Sequence, residues 1–233
     1  MEKSLTKIRD VDLKILSELD DKSLLSFCKV SKYANTLCYN EDFWRSRIIQ
    51  NYPKAFEFKS KEKTWRNYYL SIVMYLNKFY NLDTAMFEAT QTNQEDLVYF
   101  LVSQGASNFI HAMRIAASIG NQNLVMFFIS KAEEAGEKWS KHIWNQGLIR
   151  ATNGGYEDLV NFFISKGADQ FNTALVDAAY IGNNKLIDLF ISKGANDWEN
   201  SLLQAKVKRN EELIQFFKHK IRDEKIFLNE MDI

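Results

Sequence analysis

The sequence predicts an all-α protein: a helical solenoid of five short repeats preceded by a small helical bundle. Three observations lead there. Pro53 is the only proline among 233 residues, so almost nothing interrupts helices. The apolar pattern of the C-terminal two-thirds recurs every 27 residues. The N-terminal third shows helical apolar spacing but not that period. The expected organisation is a bundle over 1–50, a helical linker and solenoid cap over 51–81, repeats over 82–220 and a tail over 221–233.

The repeat is read from spacing. Leu159-Val-Asn-Phe-Phe-Ile-Ser-Lys-Gly-Ala168 returns 27 residues later as Leu186-Ile-Asp-Leu-Phe-Ile-Ser-Lys-Gly-Ala195, and the same step carries Leu97 to Leu124 and Leu186 to Leu213. Between Leu124 and Leu159 the step is 35, so one copy holds an insertion around 132–143. An apolar residue opens each copy: Leu82, Phe109, Trp144, Phe171 and Trp198. A small residue follows at Ala85, Ala112, Gly147, Ala174 and Ser201, and alanine recurs at 89, 116, 151, 178 and 205. Each copy thus reads as two helices, the first closed by Gly120, Gly155 or Gly182 and the second by Gly105, Gly167 or Gly194. Helix formers in the insertion predict a longer second helix in copy two. A helix pair this small cannot bury both faces, so it must lean on the next copy. The polar Lys218-His219-Lys220 marks a terminal copy, with the tail to Ile233 packing back on it.

In the N-terminal segment, Val11, Ile15 and Leu19 fall at i, i+4 and i+8, which predicts a helix over Asp10–Leu19. Asp20-Asp21 signals a turn and a cap. Leu24 to Val30, Tyr33 to Cys38 and Glu41 to Ile49 predict three further helices, the last ending before Pro53. Thr64 to Tyr80 is a longer amphipathic stretch suited to covering the first repeat. Trp44 is read as core.

Gly194-Ala-Asn-Asp-Trp198, followed by a small residue, an aliphatic and alanine, resembles an ankyrin repeat over roughly residues 82–220. The usual ankyrin period is about 33 residues, so these copies are short, and Thr173-Ala-Leu-Val176 stands where that family has Thr-Pro-Leu-His. The style resembles ankyrin proteins of large DNA viruses. In that family the concave face comes from the first helices and the turns after them. Carried over, this implies a partner-binding face at Gln91, Thr92, Ser118, Ile119, Asn153, Tyr180, Ile181, Val207 and Lys208. Tyr180, Ile181 and Ile119 would either form an apolar strip or fill the space between repeats.

Ile15-Leu-Ser-Glu-Leu19, Asp21-x-x-Leu24, Val30-Ser-Lys32 and Asp42-Phe-Trp-Arg45 resemble an F-box over about residues 7–50, with Lys7-Ile8 at that family's Leu-Pro opening. The resemblance implies a helical bundle that docks on the Skp-type adaptor of cullin–RING ubiquitin ligases through Val11, Ile15, Leu16, Leu19, Leu24 and Leu25. The two resemblances together imply a substrate-recruiting adaptor whose solenoid holds a protein target. The alternative is a scaffold or virion-associated protein whose bundle only caps the array.

Composition sets the remaining expectations. Thirty basic residues balance thirty acidic ones, so no net field draws the chain to nucleic acid or anionic lipid. No apolar run reaches membrane-spanning length, and the charged N-terminus differs from a signal peptide. Cys28 and Cys38, ten residues apart, are expected as buried free thiols in a reducing compartment, consistent with a cytoplasmic protein. His111, His142 and His219 form no ligand pattern. No phosphate-cradling glycine loop or nucleophile elbow occurs. The expectation is a non-enzymatic protein without metal or cofactor, monomeric apart from its partners.

Overall fold

The computed structural model describes residues 9–231, with side chains to Phe227. No strand occurs among the described residues, and the chain divides into two compact units after Ser107.

In the first unit, α1 (Arg9–Ser17), α2 (Asp21–Phe27), α3 (Lys32–Leu37) and α4 (Glu41–Asn51) precede a 3-10 turn (Pro53–Glu57). Then come α5 (Trp65–Lys78), α6 (Leu82–Gln91) and α7 (Glu95–Ser103). Short polar residues start most of these helices: the side chains of Asp20, Ser31, Asn40, Thr64 and Asn81 each accept a backbone N–H of the first turn. Pro53 opens the 3-10 turn, where its missing N–H costs nothing. Leu16, Leu24, Trp44, Ile48, Tyr68 and Ile72 are fully buried. Trp44 is core, as predicted, and its indole Nε1 donates to the Cys38 carbonyl at 2.7 Å. Helix α5 packs on α4 and α6, so it covers the first hairpin as its amphipathic pattern implies.

The expectation of free thiols is corrected. Cys28 and Cys38 form a disulfide, with Cα atoms 5.8 Å apart. The ten-residue argument assumed one continuous helix. Instead Cys28 caps α2 and Cys38 caps α3, and the turn between them folds one cap onto the other. The thiol argument for a reducing compartment falls with it.

The second unit is four helix pairs: α8 (Phe109–Ser118) with α9 (Gln122–Glu134), α10 (Lys141–Gly154) with α11 (Glu157–Ser165), α12 (Phe171–Ile181) with α13 (Asn184–Ser192), and α14 (Trp198–Val207) with α15 (Glu211–Met231). The first helices α8, α10, α12 and α14 touch consecutively. Alanine makes that approach possible: Ala116, Ala151, Ala178 and Ala205 are all fully buried, as is Ala89 of the first unit. Phe163, Phe190 and Phe217 occupy equivalent layers, each fully buried and each facing the aromatic residue that opens its own pair. The Trp144–Phe163, Phe171–Phe190 and Trp198–Phe217 centroids are 6.4, 6.4 and 6.5 Å apart. At the small-residue column, a Cβ on Gly147 would overlap the Phe163 ring.

The turn after each first helix needs a left-handed residue. Gly155 and Gly182 supply it at φ 74°, and Asn93 and Arg209 adopt the same conformation at the corresponding outer positions. A second register device is a side-chain clasp. Asn145 Oδ1 accepts the backbone N–H groups of Asp169 and Gln170, and Asn172 Oδ1 those of Asn196 and Asp197. In the first unit Asp83 accepts the N–H of Ser107. The corresponding residue in α8 is Ile110, which cannot accept, and there the insertion changes the following loop.

The insertion lengthens α9 to 13 residues, against nine in α11 and α13. Its remainder carries Trp139 onto Trp144, with ring centroids 4.4 Å apart and nearly parallel. The tail is a second correction. Instead of packing back, it continues α15 to Met231, leaving Ile226 and Phe227 exposed.

Candidate protein-binding surfaces

On the second unit, the face of the first helices opposite the buried alanines is partly open. Asn153, Tyr180, Val207 and Lys208 are exposed, whereas Ser118, Ile119 and Ile181 are half-buried. The strip and filler readings therefore divide by residue. Ile181 reaches toward Gly155, its Cδ1 in van der Waals range of the space a Cβ would take there. Tyr180 projects outward, with Lys208 Nζ 3.9 Å from its ring centroid. Gln91 and Thr92 lie exposed at the end of α6 in the first unit. The sequence reading missed Leu203 and Val176. Leu203 is 54% exposed, one helical turn before Val207, which is 61% exposed. Val176 lies one turn before Tyr180 and 27 residues before Leu203, so the period itself marked the pair.

Two charged groups on these helices are perturbed by their surroundings. Burial raises the Asp177 carboxyl above its ordinary value, partly offset by a hydrogen bond from Asn153 and the charge of Arg150. Burial lowers the His111 imidazole, assisted by Arg114 and Arg150.

In the first unit, Val11 is 43% exposed on α1, and Ile15, Leu19 and Leu25 are half-buried. Leu16 and Leu24 are corrected as candidates for partner contact. Both are fully buried and hold the bundle together. A residue passed over in the sequence organises this region. Arg47, 4% exposed, donates to the carbonyls of Ser17 and Leu19, to Asp21 Oδ1 at 2.9 Å and to Tyr69 Oη at 2.8 Å. Those carbonyls lie where α1 ends, so one guanidinium fixes the exit of α1, the start of α2 and the flank of α5. Burial and a hydrogen bond to Asp21 raise the Tyr69 phenol above its ordinary value, so it stays protonated and donates to that carboxylate.

Residues 13–46 match the F-box domain. The F-box match spans α1 from Leu13 through most of α4, and takes in Ile15, Leu19, Leu25, the disulfide and Trp44. It stops one residue short of Arg47 and does not reach Val11. The predicted Lys7-Ile8 opening lies outside the described residues. An F-box is a protein-interaction element, which places this end of the chain in that functional class. No curated protein matches the chain. Among the described residues no helix is long and apolar enough to cross a membrane, and no cluster of His, Cys, Asp and Glu could hold a metal ion.

Proposed function

We propose that this protein is a substrate-recruiting adaptor of a cullin–RING ubiquitin ligase. The F-box segment holds the Skp-type adaptor subunit, and the helix pairs of the second unit, read as short ankyrin-type repeats, hold the target. The role is non-catalytic and calls for no cofactor. The F-box match at residues 13–46 carries the reading. It is supported by the outward placement of Val11 on α1, one turn before the half-buried Ile15. The test is a binding titration of the full chain against a purified Skp-type adaptor, with Val11→Glu and Ile15→Glu in parallel. Micromolar or tighter binding that these changes abolish supports the proposal; no binding by the parent chain removes the ligase half.

One observation favours the alternative, a scaffold or virion-associated interaction protein. The F-box helices share a compact unit with the hairpin α6–α7, which α5 covers directly. On that reading the bundle serves as a cap. The same variants would then leave every partner interaction unchanged.

A further inference from the structure

The disulfide inside the F-box segment ties down a helix that has few other holds. Helix α2 has seven residues and α3 six, well short of the roughly 12–15 at which a helix begins to stand alone in water. Within α2 only Leu24 is buried. The start of α2 is held through Asp21, which accepts from Arg47 and from Tyr69. Its far end is held by the bond from Cys28, its own C-cap, to Cys38, the C-cap of α3. The half-buried Leu25 lies one helical turn before Cys28.

The two cysteines differ in access. Cys28 is 6% exposed and lines an open surface depression with Lys29, Val30, Ser31, Lys32 and Asn35. Cys38 is 0% exposed, and the Trp44 indole bonded to its carbonyl is buried with it. An incoming thiolate therefore meets Cys28. A ligase adaptor works where small thiols hold protein cysteines reduced, and a disulfide that forms there is as a rule transient and redox-sensing, not a fixed staple.

We propose that Cys28 is an exchange site for glutathione-type small thiols and that its bond to Cys38 is a reversible catch on the end of α2. The inference rests on the ligase reading for its compartment, and deepens it by naming a control on the F-box segment. In opening, a glutathione thiolate attacks the Cys28 sulfur. The new bond leaves glutathione on Cys28, and Cys38 departs as a thiolate that takes a proton from water. A second glutathione thiolate attacks the glutathione sulfur of that mixed disulfide, releasing glutathione disulfide and the Cys28 thiolate, which is protonated in turn. Two glutathiones are thus oxidised as the protein disulfide gains two electrons, and glutathione disulfide reverses both steps. With the catch open, α2 keeps its hold at Asp21 and frays from Cys28 back toward Leu25.

The test equilibrates the oxidised full chain in glutathione buffers without denaturant, blocks free thiols with N-ethylmaleimide and reads intact mass. Millimolar reduced glutathione should open the bond, and glutathione disulfide should close it. Glutathione disulfide should add one glutathione to Cys38→Ser, through Cys28, and little to Cys28→Ser, whose remaining cysteine is sealed. On opening, amide exchange should rise in residues 22–31 and stay unchanged in residues 109–207. Binding of a purified Skp-type adaptor should weaken about three- to tenfold, as the docking-competent α2 becomes a fraction of the population. Reducing the parent chain opens the same bond without a substitution, so the exchange and binding readouts hold even where a serine variant fails to fold. A bond that resists millimolar glutathione, equal addition to both serine variants, unchanged exchange in residues 22–31, or equal adaptor binding by the two forms would each overturn the proposal. An adaptor that binds neither form would remove the ligase reading instead, and the mass and exchange readouts would still decide whether Cys28 is an exchange site.

Discussion

Gly147→Ala sets two known effects against each other. Alanine in a helix interior is favoured over glycine by about 1 kcal/mol, and Gly147 lies inside α10. Against this, the added methyl would sit 2.6 and 2.7 Å from two carbons of the Phe163 ring and closer still to a third. Phe163 is fully buried, with Trp144 beside it and Trp139 stacked on Trp144, so the ring has little room to yield. Overpacking costs about 1–3 kcal/mol, and an overlap with three ring atoms belongs at the upper end. The overlap wins, and the net loss is about 2 kcal/mol. Elsewhere the pattern is permissive: the corresponding positions in α6 and α7 are Ala85 and Leu101. Phe163→Leu should therefore make room for the alanine, giving a favourable coupling of about 1–3 kcal/mol in a double-mutant cycle. Urea titration followed by tryptophan fluorescence reads the effect beside Trp139 and Trp144. A Gly147→Ala variant at least as stable as the parent, or a coupling near zero, would refute the argument.

Four other outcomes follow from the structure. Arg47→Met strands Asp21 and two helix-end carbonyls, and should cost about 3–5 kcal/mol, with hydrogen exchange rising first in α1 and α2. Asn145→Ala should cost more than Asn172→Ala, because Asn145 is 4% exposed whereas the Asn172 clasp lies open to solvent; chemical denaturation of the two variants gives the order. Under denaturing, non-reducing conditions iodoacetamide should add to neither cysteine, and after reduction to both, read by intact mass. Burial raises the Asp177 carboxyl in the folded state, so folding favours its protonated form, and stability falls as pH rises from the unfolded value of about 3.8 through the folded one. Asp177→Asn should therefore be more stable than the parent at neutral pH, with the two curves converging below pH 3.8 in denaturation series.

What the sequence revealed was whatever repeats. The alanine column, the layered phenylalanines and the glycine-closed turns each occupy one structural role because each position recurs with the same neighbours. Asn93 and Arg209 show the limit of that reading: they take the left-handed conformation without the residue that advertises it. Arg47 was illegible for a different reason. Its worth comes from carbonyls about thirty positions earlier and a tyrosine 22 positions later, and no local pattern brings those together. The disulfide was missed because a spacing on one helix was applied across two. The turns after the first helices mark only the end of the exposed stripe, whereas Val176 and Leu203 lie a helical turn earlier. Following the period along the exposed stripe would have found both.

The aromatic layers have a consequence for how such a chain changes length. Trp144 meets Phe163, Phe171 meets Phe190 and Trp198 meets Phe217, each within its own helix pair. From one pair to the next run a column of buried alanines, a polar clasp, and a side chain laid on the glycine that closes the previous first helix, Tyr156 at Gly120 and Ile181 at Gly155. A gene that duplicates or drops one such block leaves the flanking blocks with matching seams. The number of blocks, and with it the reach of the face they present, is free to drift without redesign of any interior.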